Sequence, residues 1–484
     1  MKLIYIKTYI LALISSCYIL ILPGCKKFID VDAPVTTTNA DNVFKEDITA
    51  AAVLTGIYSS IATEENGNTG IAQLNVLPSL SADELNLTTG ISDQVINNYY
   101  KNSLRSDVSG VSGTDFWAQF YRYLFRINSA VEGLNASSQL TPSVKTRLLG
   151  ECYFMRAFCY FYLVNLYADV PLIVTTDYKV NAAMPRTSTG QIYNQIKDDL
   201  IKAQGLLTEN YLDGTLIRTG TQRVRPNKFA ATALLARVYL FLNDWQNAET
   251  QASLVLANKA VYDTMPLNET FLSATKESIW SLQPTGVQTS ANTGSGRIFI
   301  LPPGGPSGTN YVYLNEDFVN SFEVNDKRRI NWINSVTVLG TTYHYAFKYK
   351  IGAVTSPTLE YQIVLRLAEQ YLIRAEARAQ QNKLVGINSA KSDIDVIRTR
   401  AGLDGTSATN QADMLEAILT ERKHELFTEW GHRWFDLKRS KTIDAVMAPA
   451  AATKGGNWQS DDALYPIPLR ELQNNPTLVQ NKGY

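Results

Sequence analysis

Residues 421–439 read ERKHELFTEWGHRWFDLKR, and no other part of the chain carries so much charge and aromatic surface together. Glu421, Glu425 and Glu429 recur at i, i+4 and i+8, a row of like charges that would repel on a helix unless cations from elsewhere sit against it. Upstream, Leu415, Ile418, Leu419, Arg422, Leu426 and Trp430 fall near one face of a 3.6-residue period, and Asn410 with Asp413 has the form of an N-terminal cap. Gly431 permits the helix to end or bend. Arginines from another helix are the obvious partners, Arg422, Arg433 and Arg439 flank the row, and the stretch predicts a buried, salt-bridged hub.

Helical periodicity extends outward from this hub. Apolar residues recur at i+3 and i+4 over 41–61, 116–134, 147–167, 190–207 and 227–242. Residues 244–256 follow across a short turn in the manner of a tetratricopeptide helix pair, and 365–381 with 390–401 forms another, with Ala375, Ala377 and Ala379 small enough for close packing. No fixed 34-residue period survives, because the insertions are long and unequal. The expected fold is mainly α, a scaffold of helical pairs with a large loop-rich part and short β hairpins. Two insertions stand out, about 63–113, rich in Asn, Ser, Thr and Gly, and 283–350, a Gly, Pro and Ser loop to Asn310 followed by a stretch dense in Tyr and Trp (Tyr311, Tyr313, Trp332, Tyr343, Tyr345, Tyr349) in which 336–349 alternates like a hairpin around Gly340. Loops of that length on a rigid scaffold are functional or disordered.

The signature ER-x-x-EL, then E-x-G-x-RW-x-DL-x-R, resembles the C-terminal signature of the SusD/RagB family of outer-membrane nutrient-binding lipoproteins. It is carried by Glu421, Arg422, Glu425, Leu426, Glu429, Gly431, Arg433, Trp434, Asp436, Leu437 and Arg439. A second element, LYPIPL at 464–469 with Glu471, Asn475, Pro476 and QNKGY at 480–484, closes the chain as in that family, so 411–484 reads as the signature region of one domain over 40–484.

At the other end, Lys2 and Lys7 flank an apolar run without acidic residues, the form of a secretory signal peptide over 1–24. Leu22-Pro23-Gly24-Cys25 resembles a lipobox, which makes Cys25 the lipid-attachment site and 25–39 a polar tether. An uncleaved N-terminal anchor is the other reading, and both place the bulk of the chain outside the cytoplasm. Lys plus Arg and Asp plus Glu number 45 each, so nothing favours a polyanion and nucleic acid is not expected as a partner. Cys152 and Cys159 lie in one helical run, roughly 10 Å apart along its axis, too far for a disulfide, and are expected as buried thiols.

Catalytic constellations are missing from the sequence. His344, His424 and His432 have no metal-ligand spacing, and there is no nucleophile elbow, phosphate loop or dinucleotide fingerprint, so neither a metal nor a cofactor is expected. The enzymatic alternative is a helical glycoside hydrolase using paired carboxylates near Trp430 and Trp434, against which the arginine-flanked row reads as an ion-pair network. A helical-repeat adaptor that binds only protein is a third possibility. Among the aromatics, Phe154, Phe158, Phe161, Trp245 and Trp280 lie on apolar runs and are expected in the core. Tyr99, Tyr100, Tyr311, Tyr313 and Trp332 lie in polar, irregular surroundings, where a ring can stack on a sugar face. With Asn86 and Arg297 as polar partners, these are the candidate ligand-binding residues. The resemblance implies a non-enzymatic, lipid-anchored protein of the outer membrane facing the cell exterior. It would take up an oligosaccharide or peptide and pass it to a SusC-like TonB-dependent β-barrel transporter.

Overall fold

The computed structural model describes residues 40–67, 69–108, 116–285 and 292–484. The expected signal peptide, Cys25 and tether lie outside the described residues. A single helical turn, Ala40–Val43, stands as its own short unit. From Phe44 onward the helices that build the scaffold and hub are α1 (Asp47–Gly67), α2 (Phe116–Ala136), α3 (Pro142–Tyr167), α4 (Thr189–Leu206), α5 (Lys228–Phe241), α6 (Trp245–Leu256), α7 (Leu367–Gln380), α8 (Ala390–Arg400), α9 (Gln411–Glu425) and α10 (His432–Arg439), and a further helix, Ile443–Thr453, follows α10.

From α2 to α8 each helix packs on the next in chain order, and α9 returns onto α7. Small side chains make the close spacing possible. Ala236 of α5, Ala248 and Ala252 of α6 and Ala377 of α7 meet with Leu240 and Ile373 in one buried seam. The starts of these helices are fixed locally: Asn227, Asp244 and Asn410 each accept a backbone N–H of the first turn, and Ser389 closes a capping box with Ser392. Helix α3 is the centre. Its residues Phe154, Phe158 and Phe161 are buried, as are both cysteines, which remain free thiols. Trp280 is buried too, its ring meeting Phe154 and Phe158 edge-on, whereas Trp245 is only half-buried at the start of α6. Two buried ion pairs tie α3 to its neighbours, Arg156 to Asp199 of α4 at 2.7 Å and Glu151 to Arg225 at 2.7 Å.

Among the described residues three two-stranded antiparallel ribbons join the helices: β1 (Leu85–Leu87) with β3 (Val312–Leu314), β2 (Ser278–Leu282) with β6 (Gln362–Arg366), and β4 (Ile333–Val338) with β5 (Thr341–Ala346). The expected hairpin is the last of these, turning through Leu339 and Gly340, both at positive φ, the combination a tight two-residue turn requires. The insertion expected as irregular over 63–113 is in part core. Residues 70–82 are all buried, in the turns Gly70–Asn75 and Leu77–Ser81, because Ile71, Leu74, Val76, Leu77 and Leu80 sit between the polar residues that dominate the composition. The polar residues among them serve the backbone instead: the Asn75 side chain donates to the Ala72 carbonyl and that of Asn102 to the Ser81 carbonyl.

Candidate functional site

The carboxylate row is buried and fully paired, by cations that come from elsewhere in the chain. Arg328 donates to Glu421 at 2.6 Å and to Glu425 at 3.0 Å. Arg366, at the end of β6, donates to Glu425 at 2.5 Å, to Glu429 at 2.7 Å and to Glu277 at 3.1 Å. Arg400, at the end of α8, bridges Glu277 and Glu425, and Lys348 reaches Glu429 at 2.5 Å. Burial alone would raise the Glu425 carboxyl, yet Arg400, Arg366 and Arg328 hold it well below the usual carboxylate range. The opposite balance holds at Glu421, where burial outweighs Arg328 and the carboxyl is raised.

Two details differ from the sequence reading. Helix α9 ends at Glu425, so Glu429 does not continue the helical row; it lies in the turn between α9 and α10, where Thr428, Trp430 and Gly431 all adopt positive φ. Nor do the nearest arginines serve the row. Arg422 and Arg439 clamp Asp436 from both sides at 2.8 and 2.7 Å, and Arg439 also pairs with Glu376. Arg433 leaves the hub altogether and makes a two-point pair with Asp83, both contacts at 2.7 Å.

That pair connects the hub to the surface. Gly431 is required here, since a Cβ on it would lie 2.9 Å from the Phe435 ring and 3.1 Å from Pro78. The close approach lets Trp430 N–H donate to the Asn75 side chain at 2.8 Å and brings Arg433 over Asp83. Burial would raise the Asp83 carboxyl, but Arg433 and Lys423 lower it to about 2. Next in the chain, the Glu84 carbonyl accepts from Asn315 N–H at 2.8 Å, while its buried carboxyl is pushed up to about 7 by desolvation. Lys454 donates to the carbonyls of Leu80 and Ala82, closing the end of the preceding turn. The strand that follows is therefore held at its root by the hub.

On β1 and β3 the side chains alternate, as a ribbon with one buried face must. Leu85, Leu87, Val312 and Leu314 point inward, and Asn86 and Tyr313, directly opposite each other, are half-buried on the outer face. Tyr100, from the helical segment Gln94–Lys101, donates its hydroxyl to Asn86 Oδ1 at 3.3 Å, and Asn315 Nδ2 donates to the same oxygen at 3.3 Å. The Asn86 carbonyl is thus engaged, while no described residue accepts from its amide N–H groups. Tyr343 of β5 meets Tyr313 edge-on, ring centroids 5.1 Å apart and planes at 88°. Lys454 Nζ lies 5.2 Å from the centre of the Tyr100 ring. Partial burial raises the hydroxyls of Tyr100 and Tyr313, so both remain protonated donors at neutral pH. Three partly exposed rings around an amide form a platform that can offer apolar faces and hydrogen-bond donors to one ligand.

Of the seven candidate ligand residues, Asn86, Tyr100 and Tyr313 come together on this platform, and Arg297 is exposed on the separate turn Gly294–Phe299. Tyr99, Tyr311 and Trp332 do not stand at the surface. Tyr99 packs edge-on against Tyr465 at 5.2 Å and Phe116 at 6.4 Å, and Tyr311 is buried beside β3. Trp332 is wholly buried, its indole N–H donating to the Leu267 carbonyl at 2.9 Å with Lys348 and Arg400 over its ring. Its polar sequence neighbours Asn331, Asn334 and Ser335 lie toward the surface, while the cations over its ring come from distant parts of the chain. Tyr343, one of the aromatics of the 311–350 stretch, and Asn315 also belong to the platform, although neither is among the seven candidates. Alternation around Gly340 was visible there, but nothing local says that β5 lies beside β3. Among the described residues no cluster of His, Cys, Asp or Glu could hold a metal ion, and no helix is long and apolar enough to cross a membrane.

Comparison with known proteins agrees with this architecture. A family model described as starch-binding and associating with the outer membrane matches residues 27–240, and one described as the SusD family matches residues 330–484. A SusD-like protein of Formosa agariphila is 26% identical, with 98% of each chain covered. The crystal structure of a SusD superfamily protein from Bacteroides vulgatus superposes with a TM-score of 0.76 at 21% identity, covering 91% of this chain and 99% of that one. A laminarin-binding SusD-like protein superposes with a TM-score of 0.72 at 23% identity, covering 91% and 100%. With two models of one family spanning most of its length and that family's fold along nine-tenths of it, the chain belongs to the SusD/RagB family.

Proposed function

We propose that this protein is a cell-surface lipoprotein, anchored through Cys25, that captures an oligosaccharide and delivers it to a SusC-like TonB-dependent β-barrel in the outer membrane. The platform of Tyr100, Asn86, Tyr313 and Tyr343 carries this reading, because its rings and unengaged amide N–H groups suit the apolar face and hydroxyl edge of a sugar. A short peptide is the other ligand class that the family allows. Tethering beside the barrel mouth would raise the effective concentration of captured ligand without any bond being broken. The hydrolase alternative loses its strongest candidates, since Glu425, Glu429 and Asp436 are buried against guanidinium and ammonium groups.

Native pull-down of the tagged lipoprotein from detergent-solubilised outer membranes, with mass spectrometry of proteins and small molecules, tests the reading. A stoichiometric β-barrel and a retained glycan are expected. Recovery of the protein alone, under conditions that preserve a reference membrane complex, would count against it.

A further inference from the structure

A second groove, of about 370 Å³, lies between α2 and the segments around 171–182 and 471–478. Trp117, Tyr121 and Phe125 follow one another at i, i+4 and i+8 on one side of α2 and contribute to its lining. Trp117 is buried, with its ring centroid 5.1 Å from that of Tyr121. Tyr121 is fixed by donating its hydroxyl to the Pro171 carbonyl at 2.8 Å, and the next loop residues are fixed by Asn128 Nδ2 donating to the Ile173 carbonyl at 3.0 Å. Phe125 is different: its side chain projects into solvent, with the residue 56% exposed.

The polar lining is Asn181, Asn474, Asn475 and Glu471, of which Asn475 is already engaged, its amide donating to the Met184 carbonyl at 2.8 Å and accepting from Thr477. Asn181 Nδ2 donates to the Thr175 carbonyl at 2.8 Å, which leaves its buried Oδ1 without a partner among the described residues. Such an acceptor beside aromatic faces is the pairing that a hydroxylated ring satisfies, with C–H groups on the rings and O–H groups on the amides. Among the described residues Glu471 is the one charged residue lining the groove, and no cation does, which argues against a phosphate or a sugar acid. The volume is near the lower end of small-ligand sites, about 300–1,000 Å³, and suits one or two sugar rings.

We infer that this groove is a second carbohydrate subsite, which takes a neutral pyranose ring stacked against Phe125 and Tyr121 with its hydroxyls on Asn181 and the Asn474 amide. It is separate from the tyrosine platform and does not depend on the platform being a ligand site. Two weak subsites on one chain would hold a polysaccharide more firmly than either alone.

Saturation-transfer NMR with methyl glucoside, methyl galactoside, methyl mannoside and methyl xyloside tests the assignment. The full chain is used with the platform removed by Tyr100→Ala, Tyr313→Ala and Tyr343→Ala. Transfer to the ring C–H protons of at least one glycoside is expected, falling at least fivefold on adding Phe125→Ala or Asn474→Ala; both residues are exposed, so the fold should be retained by circular dichroism. Absence of transfer from the platform-free chain, or transfer indifferent to both substitutions, overturns the subsite; in the second case an apolar segment of a partner protein becomes the better occupant. If the intact and platform-free chains transfer equally and Phe125→Ala abolishes both signals, the groove stands and the platform reading fails.

Discussion

Arg433 and Asp83, separated by 350 positions in the chain, make a two-point ion pair at 2.7 Å that fastens the root of β1 to α10. The most recognisable part of the sequence is therefore the anchor of the candidate ligand platform. Arg433 does not touch the platform; it positions the strand that carries Asn86.

This pair sets an acid limit on stability. Asp83 is lowered to about 2 in the folded chain, so its contribution is present above the ordinary aspartate range and is lost as pH falls from about 4 to about 2. A shift of that size corresponds to about 2 kcal/mol. Asp83→Asn should remove this part of the acid dependence and cost a similar amount at pH 7, measured by urea unfolding across pH.

Glu84 acts with the opposite sign. Desolvation raises its carboxyl to about 7, so its contribution is present below the ordinary glutamate range and is lost as pH rises from about 4.5 to about 7. Glu84→Gln should flatten the stability profile in that window, by about 3 kcal/mol between its ends. Chemical denaturation at pH 5 and pH 8 gives the comparison.

Removing one member of the hub should cost more than any surface change. Glu425→Ala leaves Arg328, Arg366 and Arg400 facing one another without their shared acceptor. Breaking a buried pair costs about 3–5 kcal/mol, and this carboxylate serves three. A large fall in melting temperature, or failure to accumulate folded protein, is the expected outcome.

Aromatic substitutions should divide into two classes. Trp332→Ala opens a cavity in the core and should destabilise by about 3–5 kcal/mol, as judged by thermal unfolding. Tyr313→Ala, on a half-buried ring, should change the melting temperature far less and weaken ligand binding instead. Equal thermal effects from the two would show that Tyr313 is structural.

The division between what could and could not be read from the sequence follows the range of the contacts. Asn410 capping Asp413, the hairpin around Gly340 and the helix pair ending at Leu256 are local, and each was legible from spacing. The like-charge row announced that distant cations must exist, but Arg328, Arg366, Arg400 and Lys348 come from other elements that spacing could not select. The burial of Trp332 is hidden for the same reason: its polar neighbours Asn334 and Ser335 face solvent, while its indole lies under Lys348, Arg366 and Arg400, which come from other elements. On the platform, composition found Asn86, Tyr100 and Tyr313. The pairing of β1 with β3, which places Asn86 opposite Tyr313, and the approach of β5, which adds Tyr343, are tertiary.

The most direct test is affinity electrophoresis through gels containing laminarin, starch, xylan or mannan, comparing the wild-type chain with the Tyr100→Ala, Tyr313→Ala double variant. Retardation of the wild type by at least one glycan and loss of most of it in the double variant, at a nearly unchanged melting temperature, is the expected result. Equal retardation of the two chains by every glycan that slows the wild type would contradict a ligand site at Tyr100, Asn86, Tyr313 and Tyr343.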